Sequence, residues 1–390
     1  MKYWRGYLTA AVFAAFTWVL MQIAQKYPNV VDMIYPYVTR SLQTGLAEYS
    51  AGVDFLLWQT LALVGALILL VLVVLMFLLR WNPIQFAGWV LAAVSALFFL
   101  HTAMYGLNTY AGSLAEDMHM EVQEYTVKQL EDAAGYYRDQ ANLLANQIRR
   151  TPSGEPDYPE FEALAASAGE GFRVLTYQRF YPVFAGSTLP VKKLGWSGMY
   201  TSMQITGVTI PFTGEAAVNP EIPVVSIPLT MCHEMAHRMC IANERDANFA
   251  GYLACVVNPD VNFQYSANFM ALRYCLSTLS GADSTAASRV RTGMNANLRA
   301  DMEAYDAFFA AHKKESYARA ADRINDTYIK TSGDSEGVKS YGNVTDLLVN
   351  WYLQEYCKSD EPQDTTPKFD PYDPGILVDP PAENPTEEGQ

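Results

Sequence analysis

The sequence predicts an α+β fold: three N-terminal transmembrane helices, then a mainly helical domain with one small sheet. Long uncharged apolar runs fill the first hundred residues, and the rest has the mixed polarity of a water-facing domain. Within that rest, stretches rich in Ala, Glu, Gln and Leu flank one β-branched and aromatic stretch punctuated by Gly and Pro. At 390 residues the chain is long enough for a membrane anchor plus a sizeable core.

The first apolar run is residues 4–25, uncharged after Arg5 and preceded by Lys2. No small-x-small cleavage pattern follows it, so it reads as an uncleaved helix and not as a signal peptide. Residues 55–79 are Leu- and Val-rich, lie between Asp54 and Arg80, and exceed the ~20 residues needed to cross a bilayer. Residues 84–106 form the third segment. Arg80-Trp81-Asn82-Pro83 joins it to the second and leaves room only for a hairpin. Lys2, Arg5 and Arg80 then share one side in short segments, which the positive-inside bias makes cytoplasmic. Lys26 and Arg40 fall in a longer outer loop. Residues 1–111 are thus expected to anchor an extracytoplasmic domain spanning 112–358.

Residues 116–150 read as a helix ended by Thr151-Pro152-Ser153-Gly154. A second helix is expected over 158–168, short strands over 172–213, and helices again from Ser226 to about Leu276, over 287–330 and over 340–357. Residues 359–390 are rich in Pro, Asp, Glu and Thr and poor in apolar residues, which predicts a disordered acidic tail. No internal repeat is present.

The net charge of -14 leaves no basic patch to neutralise phosphates, which excludes nucleic acid as a partner. Much of that charge sits in the tail, so it says little about a substrate. The expected partners are the lipid bilayer and a peptide or protein substrate; the sequence leaves the oligomeric state open. The five cysteines, Cys232, Cys240, Cys255, Cys275 and Cys357, form no CxxC pair. A cysteine-built metal site is therefore not indicated. Four of them lie in apolar contexts and read as small buried hydrophobes.

Residues 233–237 read His-Glu-Met-Ala-His, in a chain with five histidines. Side chains four apart share one helix face, so His233 and His237 can aim both imidazoles at a single Zn2+. Glu234 is turned round the helix and reaches a water that zinc has acidified to a pKa of about 7, as its general base. Ser226-Ile227-Pro228 offers an N-cap with proline near the first turn. Polar Arg238, Asn243, Glu244, Arg245 and Asp246 follow, unlike the centre of a bilayer.

A catalytic zinc needs a third protein ligand. His101 falls in a membrane segment, and His119 and His312 are isolated, so a carboxylate is favoured. Glu244 leads, with Asp246 and a distant residue as alternatives. On one straight helix His237 and Glu244 would stand about 10 Å apart along the axis, too far to share an ion. A turn at Cys240-Ile241-Ala242 is therefore expected. Asn243 would cap the next helix, with Asp246 as the third residue of a capping-box variant, and Asn248 would sit one turn on to orient the ligand. Met203–Ile210, or 214–219, could form an edge strand that receives substrate. Tyr341 could donate to a developing oxyanion.

Three stretches resemble a family of bacterial multi-spanning membrane proteins of unknown function that carries this HExxH motif. They are 211–219, 233–237 and 247–255, joined by 337–342 and the membrane segments. The resemblance implies a zinc peptidase in a bacterial cell membrane, with no assigned substrate. Glu244-Arg-Asp-Ala-Asn248 also resembles the element that supplies the third ligand in glutamate-type zincins, although Cys240 stands where such families place a helix-ending glycine. The fold expected for 112–358 is zincin-like, and the expected reaction is peptide-bond hydrolysis. Two rivals are a non-catalytic receptor or scaffold keeping the metal site, and a zinc hydrolase acting on a cell-wall amide.

Overall fold

The computed structural model describes residues 4–314 and 344–357, with positions 319 and 323. The expected tail, Tyr341 and the 337–342 stretch lie outside the described residues. Among the described residues helices dominate, and one sheet of three short strands is present.

Four long helices come first. They are α1 (Arg5–Lys26), α2 (Pro28–Ala51), α3 (Leu57–Leu78) and α4 (Pro83–Met104). Of these, α1, α3 and α4 are long and apolar enough to cross a membrane. Their bounds differ by a residue or two from those expected. Helix α2 corrects the sequence reading, which placed Lys26 and Arg40 in an outer loop. Its face of small and polar residues, Thr39, Arg40, Gln43, Ala47 and Ser50, is buried. That pattern carries no long apolar run, and Pro36 lies inside it.

Helices α1 and α4 run parallel. The Tyr7 hydroxyl donates to the Ile84 carbonyl at 3.0 Å, and Phe13 meets Phe99 with ring centroids 5.8 Å apart. A Cβ on Gly6 would lie 2.4 Å from the backbone of Gly88, the close approach that small residues permit between membrane helices. Leu57 at the start of α3 bonds Glu215, and His101 near the end of α4 packs on Phe212, three residues before it. Residues 79–82 join the other two ends, so α3 and α4 run in opposite directions. Arg5 and Arg80 therefore share one end of the spanning helices, and the remainder of the chain builds on the other.

There follow α5 (Leu114–Asp117), α6 (Val127–Ala145), α7 (Phe161–Tyr177), β1 (Lys192–Lys193), α8 (Ser197–Ser202), β2 (Gly207–Ile210) and β3 (Glu215–Val218). Then come α9 (Ile227–Arg238), α10 (Glu244–Val256), α11 (Val261–Ala282), α12 (Ser284–Thr292), α13 (Ala296–His312) and α14 (Val344–Glu355). The expected helix over 116–150 is two helices separated by irregular chain. The strands expected from 172 begin only at Lys192. Phe161, Leu164, Ala165, Ala168, Phe172 and Leu175 are all buried on α7, and this helical spacing outweighs the β-branched and aromatic content.

The sheet order is β1-β3-β2, with β1 parallel and β2 antiparallel to the central β3. Only β2 is an edge near α9, so 214–219, which holds β3, is not the edge strand. The core is formed where α9 and α10 meet α7 and α11, with α6 and α14 closing over α11. Cys232, Cys240, Cys255 and Cys275 are buried, and Cys357 is exposed.

One buried carboxylate joins the sheet to the membrane helices. Glu215 of β3 accepts from the Leu57 and Trp58 backbone N–H groups at 2.9 and 2.8 Å. These are unpaired donors of the first turn of α3, where a negative charge is favoured. Lys192 sits 2.8 Å from the same carboxylate and also donates to the Ser50 and Phe55 carbonyls. Breaking a buried pair leaves an uncompensated charge. Glu215→Ala is expected to destabilise the protein by about 3 kcal/mol, and Glu215→Gln by less; thermal unfolding of the full chain in detergent measures both.

Candidate metal centre

Helix α9 supplies two of the site's side chains. It starts at Ile227 with Pro228 in its first turn, where a missing N–H costs nothing. Ser226 does not cap it as expected, because its hydroxyl donates back to the Pro223 carbonyl at 2.7 Å. The hydroxyl of Ser266, from α11, instead accepts from the Leu229 N–H at 3.1 Å. The rings of His233 and His237 meet edge-on with centroids 4.6 Å apart, as spacing of four on one face requires.

The chain then reverses. Cys240 N–H donates to His237 O at 2.9 Å and Ile241 N–H to Ala236 O at 3.1 Å. This pair of bonds is the Schellman ending of a helix. Its pivot, Cys240, has φ +70°, so a cysteine holds the left-handed conformation usually given to glycine. Asn243 caps α10, its side chain accepting from the Arg245 N–H at 2.9 Å. Asp246 takes no part in that cap, contrary to the expected capping box. Its carboxylate accepts from Leu114 N–H and Arg245 Nε, both at 2.9 Å. Those partners also draw it away from the histidines, so the alternative third ligand is not at the site.

Glu244, the first residue of α10, is brought to the histidines. Its Oε2 lies 3.4 Å from His233 Nε2 and 3.6 Å from His237 Nε2. The three ligand atoms lie within 4.8 Å of one another. Oε2 is buried with no hydrogen-bond partner. Two ligands each about 2.0–2.1 Å from a tetrahedral zinc stand roughly 3.3 Å apart, so the spacing suits a shared ion better than direct hydrogen bonds. His237 Nδ1 faces the Ile241 carbonyl at 2.9 Å, which fixes the tautomer that leaves Nε2 free to bind. This donor set fits zinc.

Glu234 is buried beside the histidines but under the sheet. Thr209 of β2 donates to its Oε2 at 2.8 Å. A Cβ at Gly207 would lie 2.4 Å from its Oε1, so only glycine lets the edge strand run over this carboxylate. Burial raises the pKa of Glu234, against the lowering pull of the two histidines and Thr209. Burial alone would lower His237, but the neighbouring Glu244 carboxylate overrides it and lifts the imidazole to about 9. Glu244 itself, despite burial, is held below the usual carboxylate range by the histidines.

Several neighbours of the site were not legible in the sequence. The Tyr105 hydroxyl donates to the His237 carbonyl at 3.1 Å, and Arg40 Nε of α2 to the Met239 carbonyl at 3.1 Å. Arg40 thereby satisfies the Met239 carbonyl just past α9, and Tyr105 adds a second bond to a carbonyl that Cys240 N–H already engages. Tyr274 of α11 donates to Asn248 Oδ1 at 3.1 Å. Asn248 in turn donates to the Glu244 main-chain carbonyl at 2.8 Å, and not to its carboxylate. None of these lies at a telling spacing from the motif. Gly207 did leave a signal, since a glycine within a strand marks a close approach.

Because the Glu244 carboxylate raises the pKa of His237, a metal ion taken up through Nε2 at neutral pH would have to displace a proton. Zinc uptake near pH 7 is expected to release about one proton from this site, and the affinity to fall as pH drops below about 9. Calorimetry in buffers of different ionisation enthalpy checks the count.

A family model described as "Protein of unknown function (DUF3810)" matches residues 31–349. The match begins within α2 and takes in α3, α4 and the histidine site. No curated protein matches. No solved structure matches.

Proposed function

The chain belongs to the DUF3810 family, and from that premise we propose that it is a membrane-anchored zinc metallopeptidase with a zincin-like domain. The observation that carries the reading is the meeting of His233, His237 and Glu244 within 4.8 Å, beside the buried carboxylate of Glu234.

His233, His237 and Glu244 would hold the zinc. When bound there, zinc supplies a Lewis acid that polarises a carbonyl and lowers the pKa of a water to about 7. Glu234 takes a proton from the attacking water. Its desolvated carboxylate has a raised proton affinity, as a general base working near neutral pH needs. Thr209 ties down Oε2, which leaves Oε1 to receive the proton and pass it to the leaving amine. The free edge of β2 offers backbone N–H and C=O groups to an extended polypeptide, which would lie as a fourth strand across the site. Tyr274 donates to Asn248 and so steadies the first turns of α10. The domain faces away from the cytoplasm, because Arg5 and Arg80 lie at the opposite end of the spanning helices.

The test uses the full chain in detergent or nanodiscs, with metal measured by elemental analysis and hydrolysis followed on casein. About one zinc per chain is expected, lost in His233→Ala and Glu244→Ala. Glu234→Gln should keep the zinc and lose roughly 10²–10⁴-fold in rate. A folded wild type that takes up no zinc would sink the proposal. Zinc without hydrolysis of any peptide would favour the scaffold or the amide-hydrolase reading.

A further inference from the structure

We propose that α2 lies in the plane of the membrane surface, its outer face sunk in lipid and its inner face clamping the metal helix. The inference goes beyond the peptidase reading and does not need it.

Both ends of α2 meet the same end of the spanning helices. Near its start, Asp32 accepts from Gly112 N–H, just past the end of α4, at 2.8 Å, and a turn further on the Tyr35 hydroxyl donates to the Thr102 carbonyl in the last turn of α4, at 2.9 Å. At its finish, Lys192 gathers the Ser50 and Phe55 carbonyls beside Glu215, which caps the first turn of α3. The last turn of α4 and the first turn of α3 lie at one membrane surface, because His101 of α4 packs on Phe212 and Leu57 of α3 bonds Glu215, three residues further on. A helix of 24 residues is about 36 Å long. With both ends tied to one surface, it runs along the bilayer and not through it.

The inner face is occupied. Arg40 donates to Met239 O at the end of α9 and to Pro182 O. Gln43 donates to Pro211 O in the β2–β3 turn at 3.0 Å. The backbone of Ala47 lies 2.5 Å from where a Cβ on Gly214 would stand. The outer face carries Val30, Met33, Ile34, Tyr37, Val38 and Leu42 at helical spacing, and most of them are more than half exposed. No charge interrupts that face between Val30 and Leu42; Glu48, near the end of the helix, is the first.

Lipid is the occupant that fits. The stripe continues the apolar surface of α1, which ends at Lys26, one residue before α2 begins. In the same turn, Phe212 packs edge-on against His101 of α4 with ring centroids 6.0 Å apart, so the β2–β3 turn also reaches the level of the spanning helices. A helix apolar on one side and docked on the other is the pattern of an in-plane membrane helix. Thr209, which holds Glu234, lies two residues from Pro211, or about 7 Å along the strand. The candidate site therefore opens close to the bilayer surface.

The test places nitroxide labels on the full chain in phosphatidylethanolamine–phosphatidylglycerol vesicles. Cys357→Ser removes the one exposed cysteine, and Met33→Cys, Val38→Cys or, on the exposed face of α6, Lys128→Cys supplies the label. Labels at 33 and 38 are expected to relax with lipid-dissolved oxygen and to be shielded several-fold from a water-soluble nickel chelate, relative to position 128. Nickel reaching position 38 as readily as 128 would overturn the proposal. So would spin–spin broadening at 38 that disappears on dilution with unlabelled protein, which would mean that a second copy covers the face. Neither readout needs zinc or activity, so the result stands apart from the peptidase test.

Discussion

The chain reversal between His237 and Glu244 is the constraint on which the candidate centre depends. A straight helix would carry Glu244 about 10 Å past the second histidine; the Schellman ending folds it back to within 3.6 Å. The reversal has a cost. A left-handed φ at a residue other than glycine is unfavourable by roughly 1–2 kcal/mol, and Cys240 adopts one. What offsets it comes from outside the turn. Arg40 and Tyr105 bond the carbonyls of Met239 and His237, and a cation at a helix C-terminus is favoured by the helix dipole. Cys240 is itself buried, beside Thr39 and Arg40 of α2 and Asn108. Tertiary bonding thus replaces the glycine that local geometry would select.

The second half of the reversal needs α10 to lie close against α9. A Cβ on Gly251 would meet the His233 backbone nitrogen at 3.2 Å. On an adjoining face, a Cβ on Gly171 of α7 would fall 1.8 Å from the Ala254 carbonyl. Ala247, Ala250 and Ala254 are fully buried between these neighbours. Small residues on both flanks let three helices approach more closely than larger side chains would allow, and the ligands gain fixed positions because interiors so packed do not deform continuously.

The sequence carries some of this directly and some not at all. The spans α1, α3 and α4 are legible because a bilayer demands long apolar runs. The pairing of His233 with His237 is legible because it is local to one helix face, and Glu244 because a helix of known rise forces a turn. Helix α2 is hidden: its buried face is polar, its apolar face looks outward, and hydropathy alone reads it as a loop. The strands expected over 172–191 fail for a related reason, since residue type was weighed above the period that places Phe172 and Leu175 with Leu164 and Ala168. Arg40, Tyr105, Thr209 and Tyr274 are contributed from up to about two hundred positions away, and no spacing rule reaches so far.

Those distant contributions also tie the candidate centre to the membrane. Arg40 holds the end of α9, Gln43 holds the turn of the strand that covers Glu234, and Glu215 from the next strand caps α3. Leu56 packs into the small core with Leu194 and Ala217, and Trp58 packs against it. Removing the first hundred residues would therefore uncover more than a tether's footprint. It would take from Lys192 and Glu215 the Ser50, Phe55, Leu57 and Trp58 main-chain groups they bond, strip the Met239 carbonyl of Arg40, and leave a left-handed turn with less support. The membrane segment completes the site's own framework, which is why measurements of metal binding belong on the full chain.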